Sequence, residues 1–246
     1  MKAVVFGATS GIGRAVARAL AERGADLYLL GIGHDDLTRS AADLEQRGGG
    51  TRKVLFGECN LEQPETFQNA LLQADTALGG FDTVVITAAL FASQDRLEND
   101  LEFTRRLLTA NFANTVVFCE HARQRLLAHG GGTLCVVSSV AGERGRKPVV
   151  IYGAGKAGLS AYLEGLDHKF QPQGLRVITV KPGFVKTSMT EGLKPPPFAG
   201  EPEQVARDIV RGIDRGSPVV YTPGIWALVM MVIRWLPRFV MRKIGF

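Results

Sequence analysis

The stretch AVVFGATSGIGRAVARALAERG, residues 3–24, joins a short apolar run to a glycine-rich turn and then to a long amphipathic run. The apolar run over residues 3–6 predicts a buried strand, and the periodic apolar residues over 11–23 predict a helix. Gly24 follows the last of these residues, and glycine is common just beyond a helix C-terminus. The stretch therefore predicts a strand–turn–helix unit at the start of an α/β fold.

The same alternation of short apolar runs and longer helical patterns continues along the chain. Strands are predicted at residues 3–6, 26–31, 53–58, 83–87, 133–138, 176–180 and 219–222. Helices are predicted at residues 11–23, 36–47, 63–78, 97–128, 151–170 and 201–215. Continuous apolar strands such as VVIT and LCVV are typical of a parallel sheet covered on both faces. Because no linker or repeat interrupts the pattern, we predict one doubly wound α/β domain of about seven parallel strands over residues 1–246.

Most of the net positive charge lies at the end of the chain. The formal net charge is +5, and residues 224–246 contain four basic residues and no acidic one, namely Arg234, Arg238, Arg242 and Lys243. The rest of the chain is therefore nearly neutral, which argues against nucleic acid as a partner.

Cysteine usage and hydropathy predict a cytoplasmic protein. The three cysteines lie far apart in apolar segments without a CxxC pair, at Cys59, Cys119 and Cys135. Such residues are typical of a reduced core, and we expect no metal site. A strand begins almost at the first residue and no apolar run approaches about 18 residues, so we expect neither a signal peptide nor a spanning helix.

The turn GATSGIG, Gly7–Gly13, is the first candidate binding element. Glycine allows the backbone to approach a pyrophosphate closely, and the N-terminus of the following helix offers unpaired N–H groups to an anion. A tight turn without a ligand is the alternative interpretation. The position between a strand and a helix favours phosphate binding.

A second stretch, SSVAGERGRKPVVIYGAGK over residues 138–156, carries three polar side chains at fixed separations. Tyr152 and Lys156 are four positions apart on a predicted helix, so they share one face. The phenol has an ordinary pKa of about 10, and a neighbouring ammonium lowers that pKa. Such a tyrosine can exchange a proton with a carbonyl/alcohol pair, while Ser139 hydrogen-bonds the same oxygen. A buried tyrosine and a solvated lysine explain YxxxK alone, but the combination predicts an active site.

Together, the spacing GxxxGxG, the segment VSSVAG and the segment YGAGK resemble the short-chain dehydrogenase/reductase family, and the resemblance spans nearly the whole chain. It implies a Rossmann-type fold, a nicotinamide cofactor and a catalytic set of Asn111, Ser139, Tyr152 and Lys156. The second serine of the pair is the catalytic one in the family, so Ser139 is preferred to Ser138. The resemblance also implies that the backbone carbonyl of Asn111 holds a water linked to Lys156, and that Lys156 binds the ribose.

The cofactor-binding positions implied by this resemblance are Gly7, Ser10, Gly11, Ile12, Gly13, Asn60, Leu61, Ala88, Tyr152, Lys156, Pro182, Gly183, Val185 and Thr187. In the loop KPGFVKT, Pro182 fixes the turn and Gly183 permits close approach to the nicotinamide. Thr187 reaches the carboxamide or the pyrophosphate.

The chain departs from the family pattern at three places. ITAA over residues 86–89 replaces the usual NNAG, and Phe6 stands where a threonine usually precedes the first loop glycine. Asn60 replaces an aspartate after the third strand, although its side chain still offers an acceptor to the adenine amino group.

The end of the second strand bears on the type of cofactor. An acid at this position would bind the ribose hydroxyls and repel a 2′-phosphate, but Gly31 stands here. Arg14 and Arg39 are candidate partners of the phosphate. We therefore expect NADP(H) rather than NAD(H).

In the C-terminal tail, residues 224–246, a nine-residue apolar run is followed by arginines four positions apart. As an amphipathic helix it would present a basic face, and such a segment can lie peripherally on an anionic membrane. Packing over the substrate pocket or at a subunit interface is the alternative. Pro237 would kink or restart the helix in either case.

SSVAGERGRK, YGAGKAGL and the tail together resemble the polyprenylphosphoryl 2-keto-pentose reductases within this family. The implied substrate is a lipid-linked 2-keto sugar at the inner membrane face. The alternatives are a soluble reductase of a small ketone, ketoacyl group or steroid, and a non-catalytic nucleotide sensor or scaffold. Residues 188–200, with their three prolines, are a candidate substrate lid. The family implies a homodimer or homotetramer.

Overall fold

A computed structural model describes residues 1–47 and 53–244. Its strands are β1 (Lys2–Phe6), β2 (Asp26–Gly31), β3 (Val54–Glu58), β4 (Thr83–Ile86), β5 (Gly132–Val137), β6 (Leu175–Pro182) and β7 (Val219–Thr222). They form one sheet in the order β3-β2-β1-β4-β5-β6-β7, and every neighbouring pair is parallel. Strand order reverses beside β1, as in doubly wound folds. The predicted seven-stranded parallel sheet is confirmed.

Helices cover both faces of the sheet. They are α1 (Gly11–Glu22), α2 (His34–Arg47), α3 (Phe67–Leu78), α4 (Gln94–Asn99), α5 (Leu101–Leu108), α6 (Thr115–Ala128), α7 (Val150–Phe170), α8 (Pro202–Arg215), α9 (Ile225–Trp235) and α10 (Arg238–Lys243). None of the helices within the described ranges is long and apolar enough to cross a membrane.

Two hydrophobic cores lie on opposite sides of the sheet because strand side chains alternate between its faces. In β1, Val4 and Phe6 belong to the core under α3, α6 and α7. Ala3 and Val5 belong to the core under α1, α2 and α8. The three cysteines are buried and unpaired, as predicted.

The predicted single helix over residues 97–128 is wrong, because the segment is broken twice. Asp100 has a non-helical backbone, and its carboxylate accepts a hydrogen bond from the Phe103 N–H at 2.9 Å, which starts α5 as a new helix. A π-helical turn at Thr109–Asn114 then separates α5 from α6. Such turns are frequent at functional sites.

The tail forms two helices rather than one, because Leu236 and Pro237 adopt extended backbone between α9 and α10. The break falls at the proline that predicted it. One side of α9 packs onto Val140 after β5 through Trp226, Met230 and Ile233. The last two residues of the predicted tail lie outside the described residues.

A buried ionic cluster joins the tail to the loop after β5. The Glu143 side chain is only 4% exposed; its carboxylate binds the Lys181 ammonium and lies 3.3 Å from Nε of Arg234 in α9. Because this carboxylate is desolvated, its two cationic neighbours are needed to offset the cost of burying its charge.

Two further cations of the same loop hold the ends of the tail helices. Arg144 Nη2 donates to the Leu236 carbonyl at 2.8 Å, and Lys147 Nζ donates to the Arg242 carbonyl at 2.7 Å. Both carbonyls lie at helix C-termini, where unpaired acceptors favour cations. Residues 143–147 therefore fix the position of the tail.

We expect Glu143→Gln to lower the free energy of unfolding by about 3 kcal/mol, because Lys181 would keep a buried charge without a counter-charge. Urea unfolding of the full chain measures this. Glu164→Gln removes the same charge from an exposed site on α7 and should change stability by less than about 0.5 kcal/mol. Equal effects of the two variants would contradict the buried-cluster assignment.

Candidate active site

The carboxyl ends of β1, β2, β5 and β6 open into one cavity of about 980 Å³. Ligands of doubly wound folds bind at this edge. Every predicted cofactor-binding residue lines the cavity, and so does Ser139. Asn111 is the exception among the predicted site residues.

The glycine turn is packed too closely for side chains at two positions. A Cβ on Gly13 would lie 2.1 Å from the Gly7 carbonyl oxygen, and Gly7 has a φ of +93°. The Thr87 hydroxyl donates to the carbonyls of Phe6 at 3.0 Å and Gly7 at 3.3 Å. Thr87 therefore locks the turn against the end of β4.

This turn fits a dinucleotide pyrophosphate. Ser10, the N-cap of α1, makes no side-chain capping hydrogen bond, and the first turn of α1 has no acidic residue. The N–H groups there remain oriented towards an anion. Thr187, from the loop after β6, comes within 3.2 Å of a Cβ placed on Gly11, so the loops face each other across the cleft.

Ser138 and Ser139 differ in their hydrogen-bond partners. Ser138 Oγ donates to the Lys156 carbonyl at 3.1 Å and lies 2.7 Å from Ser160 Oγ, which ties it to α7. Ser139 Oγ accepts from the Ala141 N–H at 3.0 Å. Its own donated contact, to the Pro182 carbonyl, is long at 3.5 Å. Because the Ser139 hydroxyl can exchange this weak contact for a substrate oxygen, the geometry favours it over Ser138.

Tyr152 and Lys156 share one face of α7, as their spacing predicts. Lys156 is 3% exposed and its Nζ donates to the Val137 carbonyl at 2.9 Å. The same Nζ lies 5.8 Å from the centroid of the Tyr152 ring. Phe91 packs edge-on against this ring, with centroids 5.3 Å apart.

Burial dominates the titration of both groups. It raises the pKa of Tyr152 to about 12, and the Ser139 hydroxyl opposes this rise. It lowers the pKa of Lys156 to about 8. The sequence predicted a lowered tyrosine pKa; the structure differs because desolvation of the phenolate outweighs the hydrogen bond of Ser139.

Asn111 lies in the π-helical turn and is 2% exposed. Its Oδ1 accepts from the Leu90 N–H and its Nδ2 donates to the Leu90 carbonyl, both at 2.7 Å. The side chain therefore positions the loop after β4 and does not face the cavity. Its predicted backbone role concerns a different atom and stays a prediction.

The close approach at Gly183 is made by the tail. A Cβ there would lie 2.0 Å from Nε1 of Trp226, and this Nε1 donates to the Phe198 carbonyl at 3.3 Å. The sequence predicted that this glycine makes room for the nicotinamide. In the structure the space beside Gly183 is taken by Trp226, a tail residue that lines the cavity, and the approach of the nicotinamide stays a prediction.

The cavity residues that the sequence did not single out include Thr87, Arg146 and Trp226. Thr87 was noted only as a departure from NNAG, and Trp226 only as part of an apolar run. Arg146 is half-buried, and burial lowers the pKa of its guanidinium. No residue spacing predicts the position of Arg146, because its place in the cavity wall depends on how the loop after β5 folds.

The two arginines predicted to recognise a 2′-phosphate lie near the glycine turn. Arg14 and Arg39 both line a smaller cavity of about 250 Å³. Arg39 binds Asp36 at 2.6 Å, and Arg14 donates to the Thr9 carbonyl.

Asn60 is the residue predicted to contact the adenine, and its Oδ1 accepts from the Glu62 N–H at 3.0 Å. Over residues 1–47 and 53–244, no three His, Cys, Asp or Glu side chains gather as a metal site.

Comparisons with known proteins agree with this geometry. The family model described as short chain dehydrogenase matches residues 1–197. An uncharacterized oxidoreductase of Streptomyces coelicolor is 36% identical over 251 residues, covering 98% of this chain and 94% of that protein. An uncharacterized oxidoreductase of Mycobacterium tuberculosis is 34% identical over 242 residues, covering 98% and 95%.

Two further proteins are more distant. Carbonyl reductase family member 4 of Xenopus tropicalis is 29% identical over 84% of this chain and 88% of its own length. The structure of a short-chain type dehydrogenase/reductase from Mycobacterium ulcerans matches with a TM-score of 0.81 at 22% identity, over 89% of this chain and 86% of that one, and supports the fold alone. The family model and the two bacterial relatives show that the chain belongs to the short-chain dehydrogenase family and is an oxidoreductase with a nicotinamide cofactor.

Proposed function

We propose that this protein is an NADPH-dependent reductase of a carbonyl group. The observation that carries the proposal is the placement of Ser139, Tyr152 and Lys156 in one cavity with the bare glycine turn. The cofactor supplies a hydride for the carbonyl carbon when it is bound. Residues of this chain carry out the proton transfers and orient the substrate.

Tyr152 is the acid in reduction: its hydroxyl proton passes to the carbonyl oxygen as negative charge develops there. A pKa near 12 keeps the phenol protonated around neutral pH, which suits this direction. Ser139 donates a hydrogen bond to the same oxygen. Lys156 binds the ribose and replaces the tyrosine proton through a water held at the Asn111 carbonyl.

The proposed substrate is a lipid-linked 2-keto sugar. Support comes from the wall of the cavity, where Phe91, Val149 and Leu193 provide apolar surface, while Arg146 and Lys194 provide positive charge. Such a wall suits a substrate that joins an apolar chain to a phosphate.

Residues 188–200 are the proposed lid over this substrate. The segment begins and ends at one point, because the N–H of Lys186 donates to the Gly200 carbonyl at 3.0 Å and the N–H of Gly200 donates to the Phe184 carbonyl at 2.8 Å. Met189, Leu193 and Pro196 of the segment line the cavity. A loop fixed at both ends can move over the cavity without displacing β6.

We expect Tyr152→Phe to lower kcat for carbonyl reduction by about 10³-fold, because the proton donor is lost, while NADPH still binds. NADPH oxidation with a polyprenylphosphoryl 2-keto-pentose, a small ketone, a ketoacyl thioester and a steroid measures turnover and substrate class. Tyr162→Phe, also on α7 but bonded to Glu120, is the control and should stay active. Turnover that survives in Tyr152→Phe would contradict the mechanism, whereas preference for a small ketone would contradict only the substrate.

The pH profile follows from Lys156, whose charged form exists below its pKa of about 8. Reduction should be nearly constant from pH 6 to 7.5 and then fall, approaching tenfold per pH unit, as the ammonium loses its proton. NADPH affinity, followed by fluorescence between pH 7 and 9.5, should weaken over the same range in the wild type and stay flat in Lys156→Met. A rate that rises through pH 8 would contradict this assignment.

The preference for NADPH over NADH is supported by Gly31 at the end of β2 and by Arg14 and Arg39 lining the adjacent cavity. Arg39→Ala should weaken NADPH binding about tenfold and leave NADH binding unchanged, because only NADPH carries the 2′-phosphate. Fluorescence titration measures both. Arg207→Ala, exposed on α8, is the matched control. Equal loss for both nucleotides would contradict the assignment of Arg39.

A further inference from the structure

The outer side of the tail exposes a row of large apolar side chains. We call this surface the tail face; it consists of Leu228, Met231, Val232, Trp235 and Phe239. Trp235 is 84% exposed and Phe239 is 66% exposed. Large apolar groups gathered on one side of two neighbouring helices are typical of an interaction surface.

The exposure of the tail face does not arise from a loosely attached segment. The opposite side of α9 is buried through Trp226, Met230 and Ile233, and the loop at residues 143–147 holds both tail helices by ionic and hydrogen bonds. The inner side is therefore fully used by the fold. The outer side is displayed on a fixed support.

Positive charge accompanies the tail face. Arg238, Arg242 and Lys243 are exposed on α10, and Arg234 is half-exposed beside Glu143. The sequence from residue 224 onwards contains no acid. A partner of this surface must therefore combine negative charge with an apolar layer.

A second copy of the chain does not meet this requirement. In a two-fold contact the same surface meets itself, so Arg238, Arg242 and Lys243 would face the same three cations with no acid of the tail between them. Nucleic acid supplies phosphates but no layer for Leu228, Val232 and Trp235. A bilayer with anionic headgroups supplies both, and tryptophan favours the boundary between headgroups and acyl chains.

We propose that the tail face docks onto the surface of an anionic lipid bilayer. Trp235 and Phe239 enter the boundary between headgroups and acyl chains, while Arg238, Arg242 and Lys243 bind lipid phosphates. The inference rests on the tail face alone and holds whether the substrate is lipid-linked or small.

Docking would bring the bilayer close to the cavity. Trp226, on the inner side of the same helix, lines the cavity, and its Nε1 touches Phe198 of the proposed lid. Leu193 and Phe198 are themselves exposed apolar side chains in that segment. The lid thus adjoins the helix that carries most of the tail face.

Cosedimentation of the full-length protein with vesicles tests the proposal, using phosphatidylcholine alone and an equal mixture of phosphatidylcholine and phosphatidylglycerol. The wild type should bind the mixed vesicles and lose affinity with rising salt. Trp235→Ala with Phe239→Ala should lower binding at least tenfold. Arg238→Gln with Arg242→Gln should lower it roughly fivefold per arginine on anionic vesicles only.

Matched controls change similar residues elsewhere on the surface. Leu72→Ala removes an exposed apolar side chain from α3, and Arg207→Gln removes an exposed cation from α8. Both should bind like the wild type. NADPH binding and carbonyl reduction in detergent-free buffer should be unchanged in every variant, so a failure of docking is distinct from a failure of the proposed reductase activity.

The proposal is overturned if the wild type does not sediment with anionic vesicles, or if the tail variants sediment as well as the wild type. It is also overturned if the Trp235 and Phe239 variant changes the molecular mass in vesicle-free buffer while no form binds vesicles. In that case the tail face is a subunit interface.

Discussion

The close packing of the glycine turn against Thr87 is the constraint on which the site depends. Gly13 lies so near the Gly7 carbonyl that a Cβ would be 2.1 Å from its oxygen, and Thr87 holds that carbonyl in place. The packing brings the N-terminus of α1 over the carboxyl ends of β1 and β4. It leaves backbone rather than side chains facing the cleft, which a pyrophosphate requires. Tyr152, on α7, lines the same cavity.

Burial, rather than a single ion pair, sets the electrostatics of the candidate site. The low-dielectric surroundings penalise the phenolate and the ammonium alike, so they move the pKa of Tyr152 up and that of Lys156 down. The side chains are thereby held as a neutral phenol beside a cation that is still protonated at pH 7. Such a pair can give a proton, which is the step that the proposed reduction requires.

The loop after β5 connects the candidate catalytic serine to the far end of the chain. Ser139 begins it, Val140 packs on α9, and Glu143 binds both Lys181 and Arg234. Because Glu143 and the contact of Val140 with α9 are buried, the tail cannot shift without straining the segment that carries Ser139. A partner on the outer side of the tail would therefore lie one helix away from the cavity. This is a physical link between a surface and a site that are distant in sequence.

The sequence by itself determined the sheet, the glycine turn and the Ser139–Tyr152–Lys156 set, because strand alternation, glycine geometry and helical spacing are local properties. The sequence did not predict the helix breaks at Asp100 and in the π-helical turn, because an apolar helical pattern continues through both. Only the tertiary structure decided that Trp226 fills the space above Gly183, that the Asn111 side chain binds Leu90, and that burial raises the pKa of Tyr152. These features depend on contacts between segments far apart in the chain, and on the solvent they exclude, which no spacing of residues records.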